Sequence, residues 1–105
     1  MSAPATLVAE TAKSSYQVYG SGQVSCGTWA EELANKSPMR QLDLAWILGW
    51  ISSYNRYSDA PGNVSSGADS AAVSGWIDNY CAANPLSNLA IASDELIMTF
   101  RLRGP

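Results

Sequence analysis

The sequence predicts an all-α protein, specifically a compact four-helix bundle with one inter-helix disulfide. Apolar residues recur at intervals of three and four in four successive stretches. No stretch alternates between apolar and polar residues for more than four positions, and Gly, Pro and Asn interrupt the chain between the periodic stretches. The predicted helices lie near 26–36, 38–57, 68–83 and 85–101, joined by short connections.

The chain ahead of the first predicted helix is rich in Ala, Ser and Thr. Leu7, Val8 and Ala12 have helical spacing, but "YGSG" at 19–22 closes the segment. We interpret residues 1–20 as a loosely attached N-terminal arm and residues 21–105 as a single helical domain. One domain is what a chain of 105 residues accommodates.

The first two predicted helices have different apolar patterns. The first has a single stripe, formed by Trp29, Ala30, Leu33 and Ala34. The second begins with Ser37 as N-cap and Pro38 at the first helical position. Its apolar residues form two faces, Leu44, Ile47, Leu48, Ile51 and Tyr54 on one and Leu42, Ala45, Trp46 and Gly49 on the other. This pattern predicts a helix in the middle of the molecule, with a neighbouring helix packed closely at Gly49.

The last two predicted helices meet at Asn84-Pro85. A polar loop at 58–67 leads to Ser66 and Asp69, which have capping-box spacing. The third helix then carries one stripe, formed by Val73, Trp76, Ile77, Tyr80 and Cys81. Pro85 ends this helix and starts the next, with Asn84 as cap. The expected inner face of the fourth helix is Leu86, Leu89, Ala90, Ser93, Leu96, Ile97 and Phe100.

The two cysteines, Cys26 and Cys81, are too far apart for a CxxC redox motif and too few for a four-thiolate metal site. Either they pair as one structural disulfide or they are two unrelated buried thiols. A small domain with an even cysteine count and no redox motif favours the disulfide, which implies an oxidising compartment.

Composition argues against several classes of function. The chain has no His, and its six basic and nine acidic residues give a net charge of −3. The basic residues are scattered apart from Arg101 and Arg103, so we expect no nucleic-acid partner. Without His, catalysis would rest on adjacent carboxylates such as Glu31–Glu32 and Asp94–Glu95, which point about 100° apart on a helix. We therefore expect a non-enzyme that binds no metal or organic cofactor.

The location follows from the same features. No apolar run approaches the ~18 residues that a membrane span requires, so we expect a soluble chain. The N-terminus lacks the basic and apolar regions of a signal peptide. A periplasmic or secreted protein would therefore be represented here by its mature chain, and a cytosolic protein with free thiols is the alternative.

A protein partner has its best candidate surface near the end of the second predicted helix. Trp50, Tyr54 and Tyr57 have helical spacing there, and Trp, Tyr and Arg dominate binding hot spots. Alternatively, Trp50 and Tyr54 belong to the core, and only Arg56 and Tyr57 are exposed. The polar 58–67 loop follows, and two polar residues of the third helix are expected to point outward. The candidate partner-binding residues are Tyr54, Asn55, Arg56, Tyr57, Asp59, Asn63, Asp78 and Asn79.

Three motifs carry a resemblance to small exported bacterial proteins, namely "SCGTW" at 25–29, "WILGWIS" at 46–52 and "WIDNYCAANPL" at 76–86. Over about residues 19–100 the chain resembles immunity proteins that protect bacteria from type VI secretion peptidoglycan amidases. It is also similar to the HdeA/HdeB acid-stress chaperones. The resemblance implies a periplasmic all-α fold and a non-catalytic inhibitor of a cell-wall hydrolase. An acid-stress chaperone is the alternative, and homodimer formation stays open.

Overall fold

The computed structural model describes residues 16–58 and 62–103, and these form an all-α bundle of four helices. A short 3-10 helix at Gly20–Gln23 precedes α1 (Cys26–Ala34), α2 (Met39–Tyr57), α3 (Ser70–Ala83) and α4 (Leu89–Arg103). The predicted fold class is thus confirmed. No helix of the described part combines the length and apolar character needed to cross a membrane.

Polar side chains begin three of the helices. In each case an oxygen accepts a hydrogen bond, at 2.9 to 3.0 Å, from the backbone N–H three residues later, and the caps are Ser25, Asp69 and Asn88. α2 begins at Met39, one residue later than predicted, so that Pro38, with helical backbone angles, takes the capping position expected for Ser37. Ser37 Oγ still accepts a hydrogen bond from Met39 N–H at 3.2 Å. The predicted capping box at Ser66 does not form, because Asp69 is itself the cap of α3 and Ser66 adopts φ +52° in the preceding turn.

The start of α4 differs from the prediction by four residues, since the helix begins at Leu89 and not at Pro85. The segment ahead of α1 and the first residue of α1 form backbone hydrogen bonds with this turn. Cys26 N–H donates to Ser87 O at 2.9 Å, and Leu89 N–H donates to Val24 O at 3.0 Å. These bonds hold the turn out of helical geometry, and Leu86, expected on the core face, is fully exposed.

The core lies where the inner faces of all four helices meet. Cys26 and Cys81 form a disulfide that joins the start of α1 to the end of α3, as predicted. Around it lies one cluster of buried apolar side chains, including Trp29, Ile47, Ile51, Val73, Ile77, Leu89, Leu96, Ile97 and Phe100. The predicted stripes of α3 and α4 therefore face the core, apart from Leu86.

Apart from Trp46, which is partly buried, the second apolar face of α2 is exposed, contrary to the prediction. Leu42, Ala45 and Gly49 are exposed, and a Cβ added at Gly49 would meet no neighbouring atom within 4 Å. Three other helices, one of them only nine residues long, do not cover a helix of 19 residues on both sides. Leu33 of α1, expected on the apolar stripe of that helix, is also exposed.

The segment at 16–24 lies against α2 and α4. The Gly22 backbone sits so close to Trp46 that an added Cβ would overlap the indole ring. Tyr16 donates a hydrogen bond to Asp94 of α4. The part of the predicted N-terminal arm at 16–20 is thus in contact with the bundle, while residues 1–15 of the arm lie outside the described residues.

Candidate functional site

Five aromatic residues belong to the N-terminal segment and to one line along α2, and we call them the aromatic face. Tyr16 and Tyr19 come from the N-terminal segment, and Trp46, Trp50 and Tyr57 come from α2. At 100° per residue, the three α2 members lie within about 40° of one another around the helix axis. Tyr57 lies about 10 Å beyond Trp50 along that axis, at a rise of 1.5 Å per residue.

Three of these rings are stacked. The ring centroids of Trp46 and Trp50 lie 5.1 Å apart with an interplanar angle of 14°. Tyr16 continues the stack at 5.9 Å from Trp50, with an angle of 24°. These distances and near-parallel planes are typical of favourable aromatic pairs. The stack also connects the N-terminal segment to α2.

Hydrogen bonds fix the orientation of the stacked rings. Trp46 Nε1 donates to Tyr19 O at 2.8 Å, and Trp50 Nε1 donates to Asp94 Oδ1 at 2.7 Å. The Tyr16 hydroxyl donates to the other oxygen of Asp94 at 2.8 Å. This bond to a carboxylate, with partial burial and the negative charge of Asp94, raises the pKa of the Tyr16 hydroxyl. The three stacked rings are therefore held in place before any partner binds.

Two tyrosines of the aromatic face project into solvent. The exposed fractions are 78% for Tyr19 and 80% for Tyr57, and the Arg56 guanidinium lies 5.1 Å from the Tyr57 ring centroid. Trp50 and Tyr54 pack partly against the core. The helix end thus lies between the two interpretations, since Trp50 and Tyr54 are only partly buried while Arg56 and Tyr57 are exposed.

The other predicted residues at this end of α2 have structural contacts. Asn55 Oδ1 accepts a hydrogen bond from Val64 N–H at 2.9 Å, and Val64 is buried. This bond attaches the following turn to α2. Asn63 is exposed, and its side-chain oxygen accepts from Ser65 at 3.3 Å. Asp59 lies outside the described residues.

Asp78 does not point freely outward, contrary to the prediction. Its Oδ1 accepts from Trp29 Nε1 at 2.8 Å and forms an ion pair with Arg40. The Arg40 guanidinium also lies 3.7 Å from the centroid of the Trp29 ring and donates to Trp29 O. Asp78 therefore closes a contact between α1, α2 and α3, while its neighbour Asn79 is exposed.

The predicted partner-binding residues consequently belong to two separate places. Arg40, which holds Asp78, and Arg56 are 16 residues apart on α2. That separation corresponds to about 24 Å along the helix axis. Asp78 and Asn79 do not share a contact surface with Arg56 and Tyr57.

The sequence interpretation missed a buried carboxyl pair between α1 and α2. Asp43 has no exposed surface, and both of its oxygens, together with Glu32 Oε1, are buried without a donor when the two groups are ionised. The hydrogen bond between the two carboxyl groups, burial and the charge of Asp43 raise the pKa of Glu32 to about 7, against the effect of Arg40. Asp43 lies four and eight residues before the buried Ile47 and Ile51. This helical spacing is the sequence signal that places Asp43 on the buried face of α2.

The arrangement provides contact surfaces and gives no support to a metal centre. Within 16–58 and 62–103, no group of three or more His, Cys, Asp or Glu side chains is arranged to hold a metal ion. Both Asp94 oxygens already accept hydrogen bonds from the aromatic face.

No family model, no curated protein and no solved structure matches this chain.

Proposed function

We propose that this protein is a non-catalytic, exported binding protein that contacts a protein partner through the aromatic face. The resemblance of its motifs to amidase-immunity proteins suggests the partner, a cell-wall hydrolase that the protein inhibits. The observation that carries the proposal is a fixed stack of three aromatic rings, Tyr16, Trp50 and Trp46, with two largely exposed tyrosines, Tyr19 and Tyr57, on the same two chain segments.

A fixed aromatic face suits binding for two physical reasons. Tyr and Trp bury a large apolar area with few rotatable bonds, so their ordering costs little entropy. Here the stacking and the hydrogen bonds of Trp46 and Trp50 have already restricted the rings. Binding energy is therefore not spent on ordering these two rings.

The end of α2 adds polar contacts beside Tyr57. Arg56 is exposed and carries the only positive charge in the last turn of α2. The turn at 62–67 is held near this end through the bond between Asn55 and Val64. Loops on a rigid scaffold commonly carry binding contacts, and this one can touch a partner without disturbing the bundle.

The disulfide supports an exported location. A bridge between Cys26 and Cys81 is consistent with folding in an oxidising compartment such as the bacterial periplasm. A partner that degrades the cell wall acts in the same compartment.

The test uses a panel of purified peptidoglycan amidases. Each enzyme digests purified peptidoglycan with and without the protein, and complexes are measured by calorimetry at neutral pH. We expect the protein to inhibit at least one amidase by forming a 1:1 complex with it. If no amidase is bound, the proposed partner class is wrong.

A second assay addresses the chaperone alternative. The protein is mixed with an acid-sensitive client enzyme at about pH 3, where most carboxylates are protonated, and light scattering reports aggregation. Suppression of aggregation in acid, without amidase binding at neutral pH, would replace the inhibitor proposal by the chaperone.

A further inference from the structure

We propose that Glu32 and Asp43 form a proton-binding clasp between α1 and α2, in which the two carboxyl groups share one proton and release of that proton loosens the corner between the helices. The clasp is separate from the aromatic face and does not depend on the proposed function.

The geometry requires a proton. Asp43 is completely buried, and neither of its oxygens has a donor among the described residues while Glu32 is ionised. A buried polar atom without a partner is destabilising, and two adjacent buried negative charges are more so. A proton on either group converts it into a donor to the other, which supplies the missing hydrogen bond and leaves one negative charge.

The neighbouring charges do not replace that proton. The charged groups that act on Glu32 are Asp43 and Arg40. Arg40 lowers the pKa of Glu32, but its guanidinium nitrogens donate to Trp29 O and to Asp78 on α3. Arg40 therefore attenuates the repulsion without forming an ion pair with either member of the clasp.

The consequence is a pH dependence opposite to that of most paired carboxylates. The pKa of Glu32 is raised from 4.5 to about 7 in the folded protein. The stability that the shared proton contributes is fully present below pH 4.5 and is lost as the pH rises through about 7. Mild acid therefore tightens this corner, and mild alkali loosens it.

The clasp lies beside exposed apolar residues. Leu33 follows Glu32 on α1, and Leu42 precedes Asp43 on α2, with exposed fractions of 56% and 59%. Arg40, three residues before Asp43, joins α1 to α3 through Trp29 and Asp78. Loosening of the clasp thus acts on the contact of α1 with α2 and α3.

The experiment compares urea denaturation of the wild type with Glu32→Gln and Asp43→Asn between about pH 4 and pH 9, followed by tryptophan fluorescence. Relative to Glu32→Gln, the unfolding constant of the wild type should rise by up to about tenfold per pH unit from 4.5 to about 7, the limit for one linked proton. Each amide variant supplies a permanent donor, so its profile should lack this rise.

Two controls keep the test decisive. Glu31→Gln removes the exposed neighbouring carboxylate and should follow the wild-type profile. Carbon-detected NMR of the Glu32 carboxyl in the unmodified protein should give a midpoint near 7. Parallel profiles for wild type and Glu32→Gln, or a Glu32 midpoint near 4.5, would overturn the proposal, and the NMR result stands even if neither amide variant folds.

Discussion

At the scale of single residues, exposure separates side chains that hold the fold from side chains that are free for a partner. Trp46 and Trp50 have both indole N–H groups bonded within the molecule, whereas Tyr19 and Tyr57 are largely exposed to solvent. Hot-spot energy is expected at the projecting rings, because a partner can desolvate them completely.

Replacing Tyr57 or Tyr19 by Ala should therefore weaken binding to an inhibited amidase by more than ~1 kcal/mol each. Both side chains are about four-fifths exposed, so the unfolding midpoint in urea should not change. Asn79→Ala, on an exposed part of α3, is the matched control and should bind like the wild type. If Asn79→Ala weakens binding and the tyrosine variants do not, the contact surface lies on α3.

Asp78 is the opposite kind of residue, since it satisfies two partly buried donors, Trp29 Nε1 and the Arg40 guanidinium. Asp78→Ala should lower the free energy of unfolding by about 1–3 kcal/mol, because both donors lose their acceptor. Asp78→Asn keeps an acceptor oxygen and should recover part of the loss, measured by urea denaturation. Equal stability of the Ala variant and the wild type would mean that the three-helix contact contributes nothing.

At the scale of elements, local sequence predicts the helices better than their ends and neighbours. The apolar periodicity of α3 and α4 predicts their buried faces because each face packs along its whole length. Asn84-Pro85 has every local feature of a helix start, yet α4 begins only at Leu89. The reason is that the backbone ahead of α1 forms hydrogen bonds with the turn, from Cys26 N–H to Ser87 O and from Leu89 N–H to Val24 O. The stack of Tyr16 on Trp50 and the pairing of Glu32 with Asp43 likewise depend on tertiary contacts that no spacing rule contains.

Gly49, in the middle of α2, lies on a face that no other helix covers, so its replacement tests helix propensity without packing. No atom lies within 4 Å of an added Cβ, so Gly49→Ala should stabilise the protein by up to about 1 kcal/mol through helix propensity alone. Gly22→Ala is the contrasting variant and should destabilise, because its Cβ would overlap the Trp46 ring and Val18. Thermal melts of the two variants check both signs, and destabilisation by Gly49→Ala would show that this face of α2 is covered in solution.

At the scale of the whole molecule, contacts distant in sequence converge around the start of α1. The Cys26–Cys81 bridge joins α1 to α3, and backbone bonds from Val24 and Cys26 join the same segment to the turn before α4. The bridge closes a loop that contains all of α2, so it restricts the unfolded chain over about half its length. The loop-entropy model assigns about 4 kcal/mol to a loop of this size.

That contribution is large beside the roughly 5–15 kcal/mol typical of a whole domain. A variant with both Cys26 and Cys81 replaced by Ser should therefore be partly or wholly unfolded at 37 °C, and reduction of the wild type should lower its melting temperature similarly. Thiol titration of the unfolded, unreduced protein should find no free thiol, since both cysteines are paired. The Asp78→Ala variant separates the contribution of the disulfide from that of the Asp78 contact, because it loses the contact and keeps the bridge. Reduction should therefore destabilise this variant by about as much as it destabilises the wild type. Two titratable thiols in the unreduced protein would contradict the bridge and remove the main support for an exported location.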